Sequence, residues 1–309
     1  MKLITMPFDY NQAIEFINAK IDCLLIGHKD FSLRTANYFN WNEIKKICFQ
    51  KKKTKIFLLV NQIFFENDLV KLLINLKKIN KLPIDGIYFQ DYAVVQLSKE
   101  NNLKFNFIYH PETIVTSYGQ FSFFLKNNIN HLVLSRELFK SEIKNICLNK
   151  PKNLNLEIQC HGLMFIMHSK WKMISNFNQY ANLDLNTKDK FLVKEMLRKY
   201  PNTIYEDKFG THMLSGYQLC TIKILKELFE MGIDYLRIDN VLQNKKWCAE
   251  ITYAYKEVIQ LIKEQKFTKK LENFYLNKVK KISAPYEIAL GFLGTIKENL
   301  HLIKNEKNN

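Results

Sequence analysis

Short apolar runs alternate with longer amphipathic ones from the start of the chain. Period-two or continuous apolar stretches predict strands over Lys2–Thr5, Asp22–Gly27, Lys55–Asn61, Gly86–Phe89, Lys104–Tyr109, His131–Ser135, Leu156–His161 and Tyr235–Asp239. Apolar residues at helical spacing predict helices over Asn11–Ala19, Asn42–Gln50, Asp68–Ile79, Ala93–Glu100, Ser117–Asn127, Ser141–Cys147, Tyr217–Glu230 and Lys245–Glu264. This alternation predicts an α/β fold, a TIM-like (β/α)8 barrel.

The regular spacing fails once. Between the seventh and eighth strands lies a long insertion, residues 166–215, containing YPNTIYEDKFGTHMLSG. Loops of that length inside compact domains are usually functional. The expected division is a barrel over 1–264, insertion included, and a basic, helical C-terminal extension over 265–309. The apolar piece APYEIALGFL, Ala284–Leu293, suits either an interface or a cover over the barrel. One stretch resists assignment: LEIQCHGLMFIMHSKWKMIS, Leu156–Ser175, starts as a strand, breaks at Gly162 and continues as a Met/Phe/His/Lys/Trp run of no clear period.

Composition supports a folded globule: 47% of the 309 residues are hydrophobic and 13% aromatic, too apolar for a disordered chain. The formal charge of +16 favours anionic partners. Only four of the 46 basic residues are arginines (Arg34, Arg136, Arg198 and Arg237), and the chain is heavy in Asn, Ile, Phe and Lys, as an AT-rich coding bias would produce. Lysine supplies a diffuse field, whereas arginine supplies a planar fork for carboxylate or phosphate, so the arginines are the better clues. The six cysteines are scattered without close pairs, which argues against a zinc knuckle or a disulfide scaffold. With no signal-peptide pattern and no apolar run of membrane-spanning length, the expectation is a reduced, cytoplasmic protein with no membrane partner.

In a barrel, functional groups gather at the C-terminal ends of the strands. Arg34, with Gly27 and His28, follows the second strand; His110 and Glu112 follow the fifth, Arg136 and Glu137 the sixth, and His161 the seventh, while Arg237 and Asp239 end the eighth. Arg34, Arg136 and Arg237 thus share one predicted face. They serve either as a clamp for a dicarboxylate or phosphate, or as structural bridges in which Arg136 and Arg237 pair with Glu137, Glu157 or Asp239. His161 and His212 are candidate general acids, metal ligands or hydrogen-bonded polar groups. No zinc spacing is present, and no metal is assigned. Lys170 and Lys172 flank Trp171, a basic-aromatic pattern that suits either a stacked base or a tryptophan covered by lysine stems.

The pieces DCLLIGHKDFSLR, HLVLSREL, LEIQCHG followed by SKWKMISN, YEDKFGTHMLS, GYQLC and GIDYLRIDN occur in order over about three quarters of the chain. Together they resemble peptidase family U32, the collagenase-like proteins, and within it the shorter of two subunits that act in wobble-uridine 5-hydroxylation of tRNA. The resemblance implies a TIM-like barrel, tRNA and a larger U32 subunit as partners, and prephenate as co-substrate. The family signature E-x-F-x-x-G-[SA]-[LM]-C, four residues, then G-x-C-x-[LIVM]-S is matched at Glu157, Gly162, Met164, Ile174 and Ser175. Its first cysteine position is Phe165 and its second is Lys172. Only Cys220 sits where a family cysteine is expected. Hydroxylating members hold an iron–sulfur cluster on four cysteines, so the resemblance implies a cluster on the partner and none on this chain. Glu157, His161 and His212 are the catalytic candidates, and Arg34, His110, Arg136, Arg237 and Lys170 the substrate-binding ones. A collagenase-like peptidase and a non-catalytic scaffold remain as alternatives, although no G-x-S-x-G elbow is present.

Overall fold

Eight parallel strands close around an interior that is apolar at one end and charged at the other. The computed structural model describes residues 1–187, 189–299 and 302. The chain runs β1 (Lys2–Thr5), α1 (Tyr10–Asn18), β2 (Cys23–Gly27), α2 (Trp41–Gln50), β3 (Lys55–Val60), α3 (Leu69–Ile79), β4 (Gly86–Phe89) and α4 (Ala93–Glu100). It continues through β5 (Phe107–Tyr109), α5 (Phe121–Lys126), β6 (Ile129–Val133), α6 (Lys140–Leu148), β7 (Asn155–Ser169), α7 (Met173–Tyr180), β8 (Phe191–Val193), β9 (Asn202–Asp207) and β10 (Gly210–Cys220). It ends with α8 (Leu225–Glu230), β11 (Tyr235–Ile238), α9 (Lys245–Lys263), α10 (Lys269–Ser283), β12 (Ile288–Ala289) and α11 (Ile296–Asn299).

Strands β1 to β7 pair in order, and β11 pairs in parallel with both β1 and β7 to close the barrel. Successive strand residues point to opposite faces, so every second side chain enters the barrel. Ile4, Met6, Cys23, Leu25, Phe57, Leu59, Tyr88, Ile108, Val133 and Tyr235 pack there as one buried cluster. The other strand face packs against the helices. On α9, Trp247, Ile251, Ala254, Tyr255, Val258, Ile259 and Ile262 are buried at the spacing of a single helical stripe. The predicted barrel is the fold observed.

Residues 166–215 are not an irregular loop. Strand β7 runs past His161 to Ser169, leaves the barrel, and pairs antiparallel with β10, which continues through β9 to β8. The result is an antiparallel flap over the barrel mouth with α7 on it. Gly162 permits the exit: its φ is +110°, and an added Cβ would stand 2.1 Å from the Asp239 carbonyl oxygen. The helix expected over Tyr217–Glu230 begins only after a strand and a short 3-10 turn at Ile222–Ile224, because Gln218, Leu219 and Cys220 are paired with Leu163, Gly162 and His161. Cross-strand pairing overrides the helical spacing of that apolar run. The APYEIALGFL piece folds back on the barrel: β12 adds in parallel to β10, and Leu290 and Leu293 are buried in the main core.

Gly162→Ala is expected to lower the unfolding free energy by at least about 2 kcal/mol, through positive-φ strain and the backbone clash together. Urea unfolding followed by circular dichroism measures it; an unchanged midpoint would mean that the β7 exit does not depend on glycine.

Candidate functional site at the barrel mouth

The charged end of the barrel is built by the same alternation that builds its core. Strands β7 and β11 pair with Glu157 beside Tyr235 and Gln159 beside Arg237. Arg237 Nε donates to Glu157 Oε1 at 2.9 Å, its Nη1 donates to both Asp239 oxygens at 2.6 and 2.7 Å, and its Nη2 lies 3.0 Å from His110 Nε2. Glu157 is completely buried; its other oxygen accepts the Tyr88 hydroxyl at 2.5 Å and lies 3.0 Å from His131 Nε2. Glu112 accepts Arg34 Nη2 at 2.8 Å and Arg136 Nη1 at 3.0 Å, and stands 3.4 Å from His110 Nε2. His110 therefore links the two groups. Three guanidinium groups meet three carboxylates, the balance that burial of this much charge requires.

This pairing sets the protonation states. Burial pushes the Glu112 carboxyl up, but His110 and the Arg34 guanidinium outweigh it and hold it well below the usual carboxylate range. Burial acts on Glu157 the same way and is outweighed by the contact with His131 and by Arg237, leaving its carboxyl low. For Arg237, burial works against the charge while Asp239 and Glu157 raise its pKa above the arginine norm. All three groups are held charged.

Pairing is nonetheless incomplete. Arg34 Nη1 and Arg136 Nη2 are buried without a hydrogen-bond partner. Both guanidinium groups lie over the Phe165 ring, at 4.3 and 4.5 Å from its centre, in cation–π geometry. Arg34 and Glu112 both adopt positive φ, +53° and +72°, a conformation that non-glycine residues hold only under constraint and that concentrates at functional sites. Arg34, His110, Glu112, Phe165, Arg237 and Asp239, with Met6, Leu59, Asn61, Leu163, Leu214 and Val241, wall a space of about 20 Å³, room for about one water molecule; Arg136 stands behind Glu112 and Phe165.

The structure brings Arg34, His110, Arg136, Glu157 and Arg237 into this one network and leaves His161, His212 and Lys170 outside it. Arg136 pairs with Glu112, and Glu137 lines a different cavity beside Phe139 and Tyr217. His161 is fully buried between the Tyr255 hydroxyl, 3.2 Å from Nδ1, and Ser283 Oγ, 3.1 Å from Nε2; burial depresses its pKa to about 3. His212 lies in the flap, 3.0 Å from Asp207, in a stack between Tyr205 and His168. Lys170 ties the flap to the segment after β3, with Nζ 3.4 Å from Asp68 and 3.5 Å from the centre of the Phe65 ring. Glu112 and Asp239 were legible at strand ends. The seating of Phe165 over two arginines was not, because it needs the flap.

The Peptidase family U32 model matches residues 8–302. The chain belongs to peptidase family U32. Within the family it is 30% identical to the tRNA hydroxylation protein P2 of Bacillus subtilis, over 86% of this chain and 87% of that one. It is also 26% identical to an uncharacterized protease of Methanocaldococcus jannaschii, over 88% and 68% of the two chains. A collagenase of Porphyromonas gingivalis is 20% identical, over 81% and 63%. In this U32 chain the two signature cysteine positions are the Phe165 ring against the arginines and the exposed Lys172 at the start of α7. Cys220 and Cys160 are buried at the Tyr255 hydroxyl, which lies 3.8 Å from Cys220 Sγ and donates to the Cys160 carbonyl oxygen at 2.8 Å. These side chains do not fit a four-thiolate cluster.

His161 generates a pH prediction. An unfolded histidine takes up a proton near pH 6.5, whereas folded His161 resists until about pH 3, so its contribution is fully present above about pH 6.5 and is lost as pH falls toward 3. Between pH 6 and pH 4 the unfolding free energy of the wild type is expected to fall more steeply than that of His161→Gln, by about 1 kcal/mol per pH unit. Parallel urea-unfolding profiles of the two proteins would contradict it.

Proposed function

We propose that this U32 protein acts in tRNA modification, as one subunit of a pair that forms 5-hydroxyuridine at the wobble position, with tRNA and a larger U32 subunit as its partners. The 30% identity over most of both chains to a protein named for tRNA hydroxylation supports the reaction class. The observation that carries this chain's own role is the pair of buried, unpartnered guanidinium N–H groups on Arg34 and Arg136. Glu112 takes Nη2 of Arg34 and Nη1 of Arg136, which leaves Arg34 Nη1 and Arg136 Nη2 to a ligand. An anion with two carboxylates, prephenate in this reading, suits two such forks. A space of about 20 Å³ does not hold it, so the Phe165 ring turns aside as the ligand enters and its hydrogen bonds replace the cation–π contacts. An iron–sulfur cluster belongs in this reading to the larger subunit, and the compartment is the cytoplasm, where the tRNA is.

A peptidase reading has less behind it. Burial pushes the Cys220 thiol up to about 11 and Cys160 well above the ordinary thiol range, away from the thiolate a nucleophile needs. His212 is held by Asp207 and stacked on His168.

Deleting the gene and analysing tRNA nucleosides by mass spectrometry tests the assignment: loss of wobble 5-hydroxyuridine is expected, and unchanged hydroxylation would remove it. Complementation with Arg34→Lys or Arg136→Lys is expected to restore about a tenth of the modification or less, because an ammonium keeps the charge but not the fork. Full restoration by both folded variants would reduce these residues to charge balance.

A further inference from the structure

The flap carries a second surface that the barrel-mouth network does not use. After β7 the chain turns at Trp171, whose backbone is pinned: its N–H donates to Ser169 Oγ at 3.2 Å and its carbonyl accepts Thr211 Oγ1 at 2.8 Å. The residue is 74% exposed on this fixed backbone. Helix α7 follows, held at its start by Glu206, which accepts the Ile174 and Ser175 N–H groups at 3.1 Å. Its Ile174 is buried, whereas Met173, Phe177 and Tyr180, at positions i, i+4 and i+7, form one exposed apolar face; Tyr180 is 88% exposed. Exposed rings of this number within ten residues are not explained by packing of this chain.

Charge decides what would cover them. Residues 166–200 hold seven basic and three acidic side chains, with Lys170 and Lys172 on either side of Trp171. The cores of protein–protein interfaces are depleted of lysine. Single-stranded nucleic-acid sites instead combine lysine-rich tracks with open aromatic rings on which bases stack, whatever their sequence. Lys170 reaches across to Asp68 and the Phe65 ring on the rim, and it directly follows the end of β7, five residues after Phe165. A strand of RNA lying on this face would therefore pass beside the mouth.

We propose that Trp171 and the exposed face of α7 form the surface on which unpaired RNA bases stack, with Lys172 contacting the adjoining phosphates while Lys170 stays tied to the rim. The proposal rests on the reading of an RNA substrate and adds where this chain holds it. The probe is a fluorescently labelled RNA hairpin with a seven-nucleotide unpaired loop, titrated into the full chain at two salt concentrations, with a blunt RNA duplex of the same length as control. Binding of the hairpin is expected to quench tryptophan emission, to fall with salt, and to weaken about tenfold in Trp171→Ala while Trp171→Phe keeps most of it. Trp171 is exposed, so circular dichroism of the alanine variant should match the wild type. Equal affinity of Trp171→Ala and wild type, equal binding of the duplex, or a purified U32 partner protein protecting Trp171 from quenching with no RNA effect would each overturn it. The failures are separable: deletion leaving wobble hydroxylation intact removes the function, whereas RNA binding unaffected at Trp171 removes only this surface.

Discussion

The sideways departure of β7 at Gly162 is the constraint from which the site follows. Up to His161 the strand belongs to the barrel, contributing Glu157 to its interior. Beyond Gly162 it belongs to the flap and pairs with β10. A backbone at φ +110° passing against the Asp239 carbonyl leaves no space for a side chain, so only glycine makes the exit without strain. Because one strand does both jobs, Phe165 is placed over the very arginines that the barrel collects. The wall and the lid of the mouth are the same element.

Within the mouth, charge balance organises the rest. Arg237 is satisfied by Glu157 and Asp239, and this interior pair packs against Tyr88 and His110. Arg34 and Arg136 share one carboxylate, Glu112, and that shortage of acceptors is what leaves two N–H groups open. A fully bridged network would be a purely structural device; two half-used forks are the feature on which the proposed anion site rests. Phe165 fills the gap with a ring face, which satisfies positive charge weakly and reversibly compared with a carboxylate.

The apolar periodicity of this chain was sufficient for the barrel because strand and helix patterns report burial on one side, and the eight strands lie at or within a few residues of the predicted runs. It failed in the flap for a physical reason. Past Met164 the flap part of β7 is only partly covered on either face, and α7 buries only Ile174, so the run from Leu163 to Tyr180 shows no clean period. At Tyr217–Cys220 the apolar spacing fitted a helix, and a long-range partner, β7, made it strand.

The sequence by itself determined which residues stand at strand ends, and so which charged groups could meet: Arg34, His110, Glu112, Arg136, Arg237 and Asp239 all follow apolar runs whose direction is set by parallel closure. Through its resemblance to the family, it also set Phe165 and Lys172 at positions where that family's signature has cysteines. Tertiary structure alone decided the pairing, sending Arg136 to Glu112 and leaving Glu137 aside, and it withdrew His161 into the packing between α9 and α10 beside Tyr255 and Ser283. Those outcomes depend on the stagger of neighbouring strands and on left-handed backbone at Arg34 and Glu112, set by contacts between residues far apart in the chain, which local pattern cannot encode.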